Sequence, residues 1–507
     1  MSTANEALDL PADAVPEEDE QETVAKRTLS PLLIVALLIT TGFAMAFRIG
    51  VTSNGPAIQA LGLALGLAAT YAALAEPRRL PVLLIAYIPY AARYPVGLGG
   101  STSLNLTNVL MLVCLAAVLR SRQPRRSFGG FEYLLLVFLV FGFLAFTTAL
   151  EGRHWQEPVA EAFRFKRWLT PFLLFFLVRR LAESREDLED ILTTVLWTST
   201  LVGALTWWQG RENGGSSIDK SRIGAVLGQA NAMAAFLVYY SLPAFAMFLR
   251  GPGRARRLFC LAEGLVMVRG MLYCFSRGAY LSEVAGGCVM MLFKSPRQLV
   301  IGLFAAYLTI VYVPALVPGS VVKRIGLEKY TAQSSSDAKI TDNLDKSSQH
   351  RLMLWDAGGS MIRDHRWLGV GLGRFDEVVD AYIDEPMRPD DPRDAHNAYV
   401  KVAAEMGIPA ACMMVLLLCS VLALGLSRYF RCEHPFDRAL ALGLIGSVIG
   451  LIVSCLFGSR FSDDSLMGQF WMLVGSVRVL GQVDDDGAAD EEADEELQGE
   501  PLLEEPA

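Results

Sequence analysis

One histidine and a few arginines stand where their chemistry could be used. His396 lies in Asp394-Ala395-His396-Asn397-Ala398-Tyr399, where a long hydrophilic stretch ends and an apolar run begins. An imidazole with a reference pKa of about 6.5 exchanges protons near neutral pH and is suited to general-base work. A histidine at a helix start also serves as a cap or an interfacial residue, so its surroundings decide between the two readings. Arg222 opens the segment Arg222-Ile-Gly-Ala-Val-Leu-Gly-Gln-Ala-Asn231, and Arg277 sits in Ser276-Arg277-Gly278-Ala279, a tight turn between two apolar runs. Each stands at the edge of an apolar run beside glycine and small residues. One such guanidinium can simply snorkel to an interface. Two at the same depth point to an anion site, because a planar guanidinium grips phosphate oxygens bidentately and keeps its charge when desolvated. Arg351 is a further arginine on the same side, and Asn397 and Tyr399 are placed to orient the histidine or its loop.

Other signals carry less. His154, His350, His365 and His434 have no comparable neighbours, and no HxxxH or HExxH spacing exists. Gly369-Val-Gly371-Leu-Gly373-Arg-Phe375 looks like a nucleotide loop but lacks the following Lys-Ser/Thr, so it reads as a turn shaping the loop around it. Asp390-Asp391 and Asp463-Asp464 are exposed acid pairs of a kind usually solvated, and no metal is expected. The eight cysteines show no CxxC spacing and, with seven in or at apolar runs, read as small buried hydrophobes. Glu263, Arg269 and Glu283 fall inside apolar runs, where charges are functional candidates by default. Arg269 has both glutamates as candidate partners, and the sequence does not choose between them.

The elements that must position these residues are membrane helices. Of 507 residues, 52% are hydrophobic and 19% charged, and the mean hydropathy is +0.35. Average soluble chains are about 45–50% apolar and about 25% charged. The net charge of -8 is unevenly spread: residues 1–30 hold eight acids against Lys26 and Arg27, and residues 481–507 hold twelve acids and no base. Residues 31–480 therefore carry 33 acids and 43 bases, a body of +10 between two acidic tails. A disordered chain, a small disulfide-stapled domain and an ordinary water-soluble enzyme are excluded.

A membrane-spanning helix needs about 20 mostly apolar residues. Candidate runs are 31–47, 54–75, 80–92, 104–119, 131–149, 168–178, 189–208, 224–249, 258–275, 278–293, 298–316, 398–426, 437–457 and 467–480. Runs 80–92, 168–178 and 467–480 are short enough to be broken or re-entrant, so twelve to fourteen spans are expected. Basic groups recur in every other loop, at Arg78-Arg79, Arg120/Arg122/Arg125/Arg126, Arg179-Arg180, Arg250/Arg254/Arg256/Arg257, Lys294/Arg297 and Arg428/Arg431. By the positive-inside bias these loops are cytoplasmic. Both tails then face the cytoplasm, and Arg222, Arg277, Arg351 and His396 lie at the outer surface.

The expected organisation is a disordered acidic tail (1–30), an N-terminal transmembrane bundle (31–316), a large extracytoplasmic loop (317–397), C-terminal transmembrane helices (398–480) and a second acidic tail (481–507). The large loop exceeds the about 12–15 residues of an ordinary connection. Trp355, Met361, Trp367, Leu368 and Phe375 should fold part of it against the membrane face, and Ser334-Ser335-Ser336-Asp337 reads as a mobile hinge. No repeat of 20–50 residues is visible, which weighs against a repeat-built transporter.

The sequence resembles the O-antigen ligase and polysaccharide polymerase superfamily of bacterial membrane glycosyltransferases. Four pieces carry the resemblance in order: Arg222 to Asn231; Ser276-Arg277-Gly278-Ala279-Tyr280-Leu281; Arg351 to Trp355 with Gly369 to Phe375; and His396-Asn397-Ala398-Tyr399 through Ala404-Glu405-Met406-Gly407-Ile408-Pro409. They run from about residue 222 to 426. Ala230 and Ala410 depart from the family pattern, where proline and glycine are common, without removing a charged or proton-transferring group.

The resemblance implies an all-α polytopic membrane protein of the second GT-C type. It implies transfer of a glycan from a polyprenyl (undecaprenyl) diphosphate carrier to an acceptor hydroxyl outside the bacterial inner membrane. Arg222 and Arg277 would stabilise the departing diphosphate, and His396 would take the acceptor proton in a metal-independent, inverting displacement. Arg351 would contact substrate. No cofactor and no nucleic acid are implied; the partners are a lipid-linked glycan donor, a glycan, glycolipid or protein acceptor, and membrane lipids. A repeat-unit polymerase, a protein O-oligosaccharyltransferase and, in another class, a lipid-linked-sugar transporter remain as alternatives.

Overall fold

Apolar runs of span length become helices here, and no strand occurs among the described residues. The computed structural model describes residues 29–53, 55–96, 105–121, 126–151, 157–213, 222–312, 346–384, 387–388, 391–462 and 464–483. Most of both acidic tails, Arg122, Arg125, His154, the Ser334–Asp337 stretch, Asp390 and Asp463 lie outside the described residues.

In chain order the helices are α1 (Pro31–Arg48), α2 (Pro56–Ala75), α3 (Leu80–Tyr87), α4 (Leu106–Arg120), α5 (Gly130–Leu150), α6 (Glu157–Leu181), α7 (Arg185–Glu212) and α8 (Ala230–Arg250). They continue with α9 (Arg254–Leu272), α10 (Arg277–Lys294), α11 (Pro296–Tyr312), α12 (Lys346–Asp364), α13 (Ala398–Arg431), α14 (Pro435–Cys455) and α15 (Asp464–Val479). Their starts follow sequence signals: Ser30 accepts from Leu33 N ahead of Pro31, Ser184 and Asp187 form a reciprocal capping box, and Asn397 caps α13.

Seven helices, α1, α2, α5, α7, α8, α13 and α14, are long and apolar enough to cross a membrane unaided. Most of the remaining runs expected as spans also form helices, but these are shorter or more charged. The chain is an all-α, multi-pass membrane protein. Run 80–92 is the broken one: α3 has eight residues, all buried, followed by a 3-10 turn at Ile88–Tyr90. A helix ending inside a bundle leaves carbonyls to be satisfied, and Gln469 of α15, itself buried, donates to Ile85 O at 3.1 Å.

At the centre, α8 packs on α9, α10 and α14. It is buried on nearly all sides from Ala232 to Met247, as an apolar helix without a polar face must be. Close approach is made by small residues: a Cβ on Gly443 would meet Pro243 Cα at 2.9 Å, and one on Gly286 would meet the carbonyl of Gly446 at 2.8 Å. Leu38, Leu63, Leu119, Val140, Leu265 and Phe304 on the peripheral helices face outward, the surface that lipid covers.

The basic loops do more than bias insertion. Arg79 is buried against Asp187 and Asp190, and Arg179 and Arg478 reach the fully buried Glu132 at 2.9 and 2.8 Å. Arg256 pairs with Glu189 at 3.0 Å. The arginines expected to set topology thus clamp helix ends together.

Candidate active site

Four chain segments meet at the opposite end from those clamps. The first runs from Arg222 through a 3-10 turn (Ala225–Leu227) to Gln229, the N-cap of α8. The second is the turn Tyr273–Ser276 between α9 and α10. Arg222 Nε donates to Cys274 O at 3.2 Å, and Ile223 N donates to Tyr273 O at 3.4 Å, so the two segments are joined. Arg222 also donates through Nη2 to Asn231 Oδ1. Arg277 is the first residue of α10 and is exposed. Beside the first segment a cleft of about 380 Å³ opens between Phe47, Arg93, Gln209 and residues 225–228.

The third segment, Asp391–Asn397, delivers His396. It is held from above by α12: Trp355 Nε1 donates to Ala395 O and His350 Nε2 contacts Pro392 O, both at 2.8 Å. The fourth is the loop Leu456–Ser462 after α14. A Cβ on Gly278 would meet Phe457 Cβ at 2.7 Å, and Arg460 Nη1 donates to Gln229 Oε1 at 3.0 Å. Ser459 lies beside Asp394. The fourth segment therefore ties the other three together.

Among the described residues, three non-glycine residues have a left-handed backbone: Ala225 (φ 39°), Phe275 (φ 50°) and His396 (φ 49°). Each lies in a different one of these segments. Such conformations cost on the order of 1–3 kcal/mol and persist where the surroundings over-determine them, commonly at functional sites.

The imidazole of His396 is mostly enclosed, and its Nδ1 lies 3.3 Å from Asp394 Oδ2. Burial pushes His396 down to about 4; Asp394 works against this, while Arg351, Arg460 and His350 add to it. The ring is thus neutral at pH 7 and free to accept a proton. Burial alone would raise Asp394, but Lys401, which also donates to it, and His396 outweigh this and hold the carboxyl at about 2. Lys401 Nζ donates to Asp394 Oδ1 at 2.9 Å and lies 3.8 Å from Glu405 Oε1, and Glu405 accepts from Phe375 N at 3.1 Å.

The glycine-rich stretch is structural. Gly369, Gly371 and Gly373 all have positive φ, and Val370 N and Gly371 N donate to Ala404 O and Glu405 O. This knot fits a break in α13 at Gly407 (φ 86°), where Ile408 N donates to Arg366 O instead. Met361 and Phe375 are buried with Leu354, Val370 and Ala404, as expected for a folded loop. Trp367 and Leu368 are exposed, because the Trp367 backbone rather than its ring abuts Gly407.

The structure brings the segments of Arg222, Arg277 and His396 together, and of the two roles open to Asn397 and Tyr399 it shows the one on the backbone. Asn397 Oδ1 accepts from Tyr399 N and Val400 N, and Tyr399 OH donates to Ile452 O. Both fix the start of α13, whereas the contact to the imidazole comes from Asp394. Arg351 is half-buried in α12, where its charge reaches His396. Arg460 was overlooked, although Gly458-Ser459-Arg460 meets the criterion that singled out Arg277: an arginine beside glycine and a small residue at the end of an apolar run. Arg269 pairs with neither candidate glutamate; it donates to Tyr273 OH and stacks over that ring.

Residues 262–415 match the family model described as O-antigen ligase. Over that stretch the chain is similar to O-antigen ligases. The matched stretch contains Arg277, Arg351 and His396, while Arg222 and Arg460 lie outside it in sequence and are joined to it by the contacts above. No curated protein matches the chain.

Proposed function

We propose that this chain is a member of the O-antigen ligase superfamily and transfers a glycan from a polyprenyl diphosphate, undecaprenyl diphosphate in bacteria, to an acceptor hydroxyl. The observation that carries the reading is the meeting of a neutral, buried His396 with the Arg222 and Arg277 segments at one end of the bundle.

Cleaving a sugar–phosphate bond builds negative charge on the departing diphosphate. Arg222 and Arg277 stabilise it through charge-assisted hydrogen bonds. Arg351 contacts the same substrate. His396 removes the acceptor proton as the hydroxyl attacks the anomeric carbon, and a single displacement inverts that centre. Asp394 favours the tautomer with a proton on Nδ1, which leaves the Nε2 lone pair for the acceptor. No metal is needed for charge stabilisation in this scheme.

The alternating basic loops support an arrangement with both termini cytoplasmic and the His396 end outside the bacterial inner membrane. The described part of the large loop, α12 and the segment Asp391–Asn397, then lies on the donor side. Polymerisation of repeat units and protein O-glycosylation would use the same groups with a different acceptor.

The test is transfer by the purified protein from an undecaprenyl diphosphate glycan to lipid A core, to a second donor or to a protein, with and without EDTA. Product length separates ligation from polymerisation. His396→Ala should lower the rate about 10²–10⁴-fold; full transfer by that variant alongside an inactive Arg222→Ala would replace the catalytic reading with a binding one, as in a transporter. Loss of activity with EDTA would contradict the metal-free scheme.

A further inference from the structure

The described residues include three buried arginines, Arg79, Arg179 and Arg460. Two have carboxylate partners: Arg79 with Asp187 and Asp190, and Arg179 with Glu132. Arg460 is 6% exposed and makes one side-chain hydrogen bond, from Nη1 to the neutral Gln229 Oε1 at 3.0 Å. No carboxylate among the described residues pairs with it. Burying a guanidinium without a counter-charge is costly, and proteins retain such groups where an anion completes them.

Its position gives the anion's place. A Cβ on Gly458 would come within 2.6 Å of Arg460 Nε, so the guanidinium is folded back over its own loop and the glycine makes room for it. Gln229 ends the Arg222 segment at the N-cap position of α8, while Ser459, next to Arg460, lies beside Asp394, the neighbour of His396. The charge of Arg460 also acts on the His396 ring. The buried cation stands between the arginine segment and the base.

We propose that Arg460 is a third anion-binding arginine of this site, aligned by Gln229 and contacting phosphate oxygens of the lipid-linked donor. This deepens the function proposed above and rests on it. Arg222 is bound to Cys274 O and Asn231 and Arg277 is exposed. Arg460 supplies a cation that is already desolvated, whose attraction for phosphate is least weakened by water.

The experiment uses the full chain in lipid nanodiscs, titrated with undecaprenyl diphosphate, inorganic diphosphate and the uncharged undecaprenol. Wild type is compared with Arg460→Gln, Arg460→Lys and Gln229→Ala. Arg460→Gln should weaken undecaprenyl diphosphate binding about 10- to 100-fold, the loss of one or two charge-assisted hydrogen bonds. Lysine should restore part of it, inorganic diphosphate should weaken in parallel, and undecaprenol binding should not move.

Unchanged undecaprenyl diphosphate affinity in Arg460→Gln overturns the proposal, as does an equal loss for undecaprenol, which marks a structural role. Should Arg460→Gln not fold, Gln229→Ala keeps the charge but frees the guanidinium and should cost a few-fold in affinity; no change there also overturns it. Wild type that binds inorganic diphosphate as tightly as the lipid form has a free-anion site instead. Wild type that binds undecaprenyl diphosphate no better than undecaprenol defeats the carrier reading itself, whereas normal wild-type binding with an indifferent Arg460→Gln defeats only the role of Arg460.

Discussion

Asp394 Oδ2 lies 3.3 Å from His396 Nδ1, and the other oxygen of that carboxylate accepts from Lys401 Nζ at 2.9 Å. His396 has a left-handed backbone and its own N–H donates to Asp394 Oδ2 at 3.2 Å, so the pair is closed through the backbone, with Nδ1 beside the same oxygen. Asp394 is the neighbour that raises the basicity of a ring which burial and three nearby basic residues depress. If His396 is the base, Asp394 would orient it and strengthen it.

Replacing Asp394 by Asn keeps the shape and removes the charge. The ring then loses its one basicity-raising neighbour, and a change of one pKa unit is worth tenfold. Asp394→Asn should lower transfer about tenfold to a hundredfold, less than His396→Ala, and shift the acid limb of the pH profile further down. Donor binding should be nearly unchanged. An equal loss in donor affinity would mean that the carboxylate serves the fold and not the base.

Gly407 breaks α13 with φ 86°, and a Cβ there would meet the Trp367 carbonyl oxygen at 2.1 Å. Gly407→Ala therefore puts a side chain on a backbone (φ 86°, ψ 166°) that essentially only glycine adopts, at about 1–3 kcal/mol, and adds a clash against backbone that cannot rotate away. The hydrogen bond from Ile408 N to Arg366 O should open, loosening the knot that seats Phe375 on Glu405. Thermal melting in detergent should show a clearly lower midpoint, and Gly66→Ala, where a Cβ meets open space, is the control.

At the other end of the bundle, Glu132 is fully buried between Arg179 and Arg478. Removing one partner of a buried ion cluster leaves uncompensated charge and costs about 3–5 kcal/mol. Glu132→Ala should lower the melting midpoint more than any single change in the exposed pair Arg393–Asp380, where about 0–1 kcal/mol is at stake. Activity of the surviving folded fraction should be normal, since this cluster is remote from the four segments that carry His396.

Much of this site was legible from residue type at run boundaries. Arg222, Arg277 and His396 each stood beside small residues at the edge of an apolar run, and polar groups placed there have to be held by something. What stayed hidden depends on long-range contacts. Gly407 and Pro409 hint at a break in the sequence, but only the loop 366–371, brought back by the fold, supplies the partners that make it stable. Asp394 read as a flank because nothing in spacing distinguishes an acid that touches the ring from one that faces water. The short-loop arginines fit the insertion bias so well that their buried partners, Glu132, Asp187 and Asp190, gave no reason to look further. Arg460 has the same signature, but it stands beside the acid pair Asp463-Asp464, which reads as solvated surface.

The pH dependence of transfer should separate the free enzyme from the donor complex. In the free protein His396 is held near 4, so it stays neutral and competent far below the ordinary histidine range. The acid limb of kcat/KM, which reports the free enzyme, should therefore fall near pH 4 and not near about 6.5. A bound diphosphate brings negative charge beside Arg351 and Arg460, cancelling part of the positive field that lowers the ring. Its protonated form becomes easier to reach, so the pKa rises, and the limb of kcat, which reports the complex, should lie at higher pH than that of kcat/KM. The same shift makes His396 a stronger base only when a donor is in place, which keeps it from being protonated while the site is empty. Arg460→Gln removes one of the like charges and should move the kcat/KM limb upward. Limbs that coincide near about 6.5 in wild type, and do not respond to Arg460→Gln, would show that another group carries the proton.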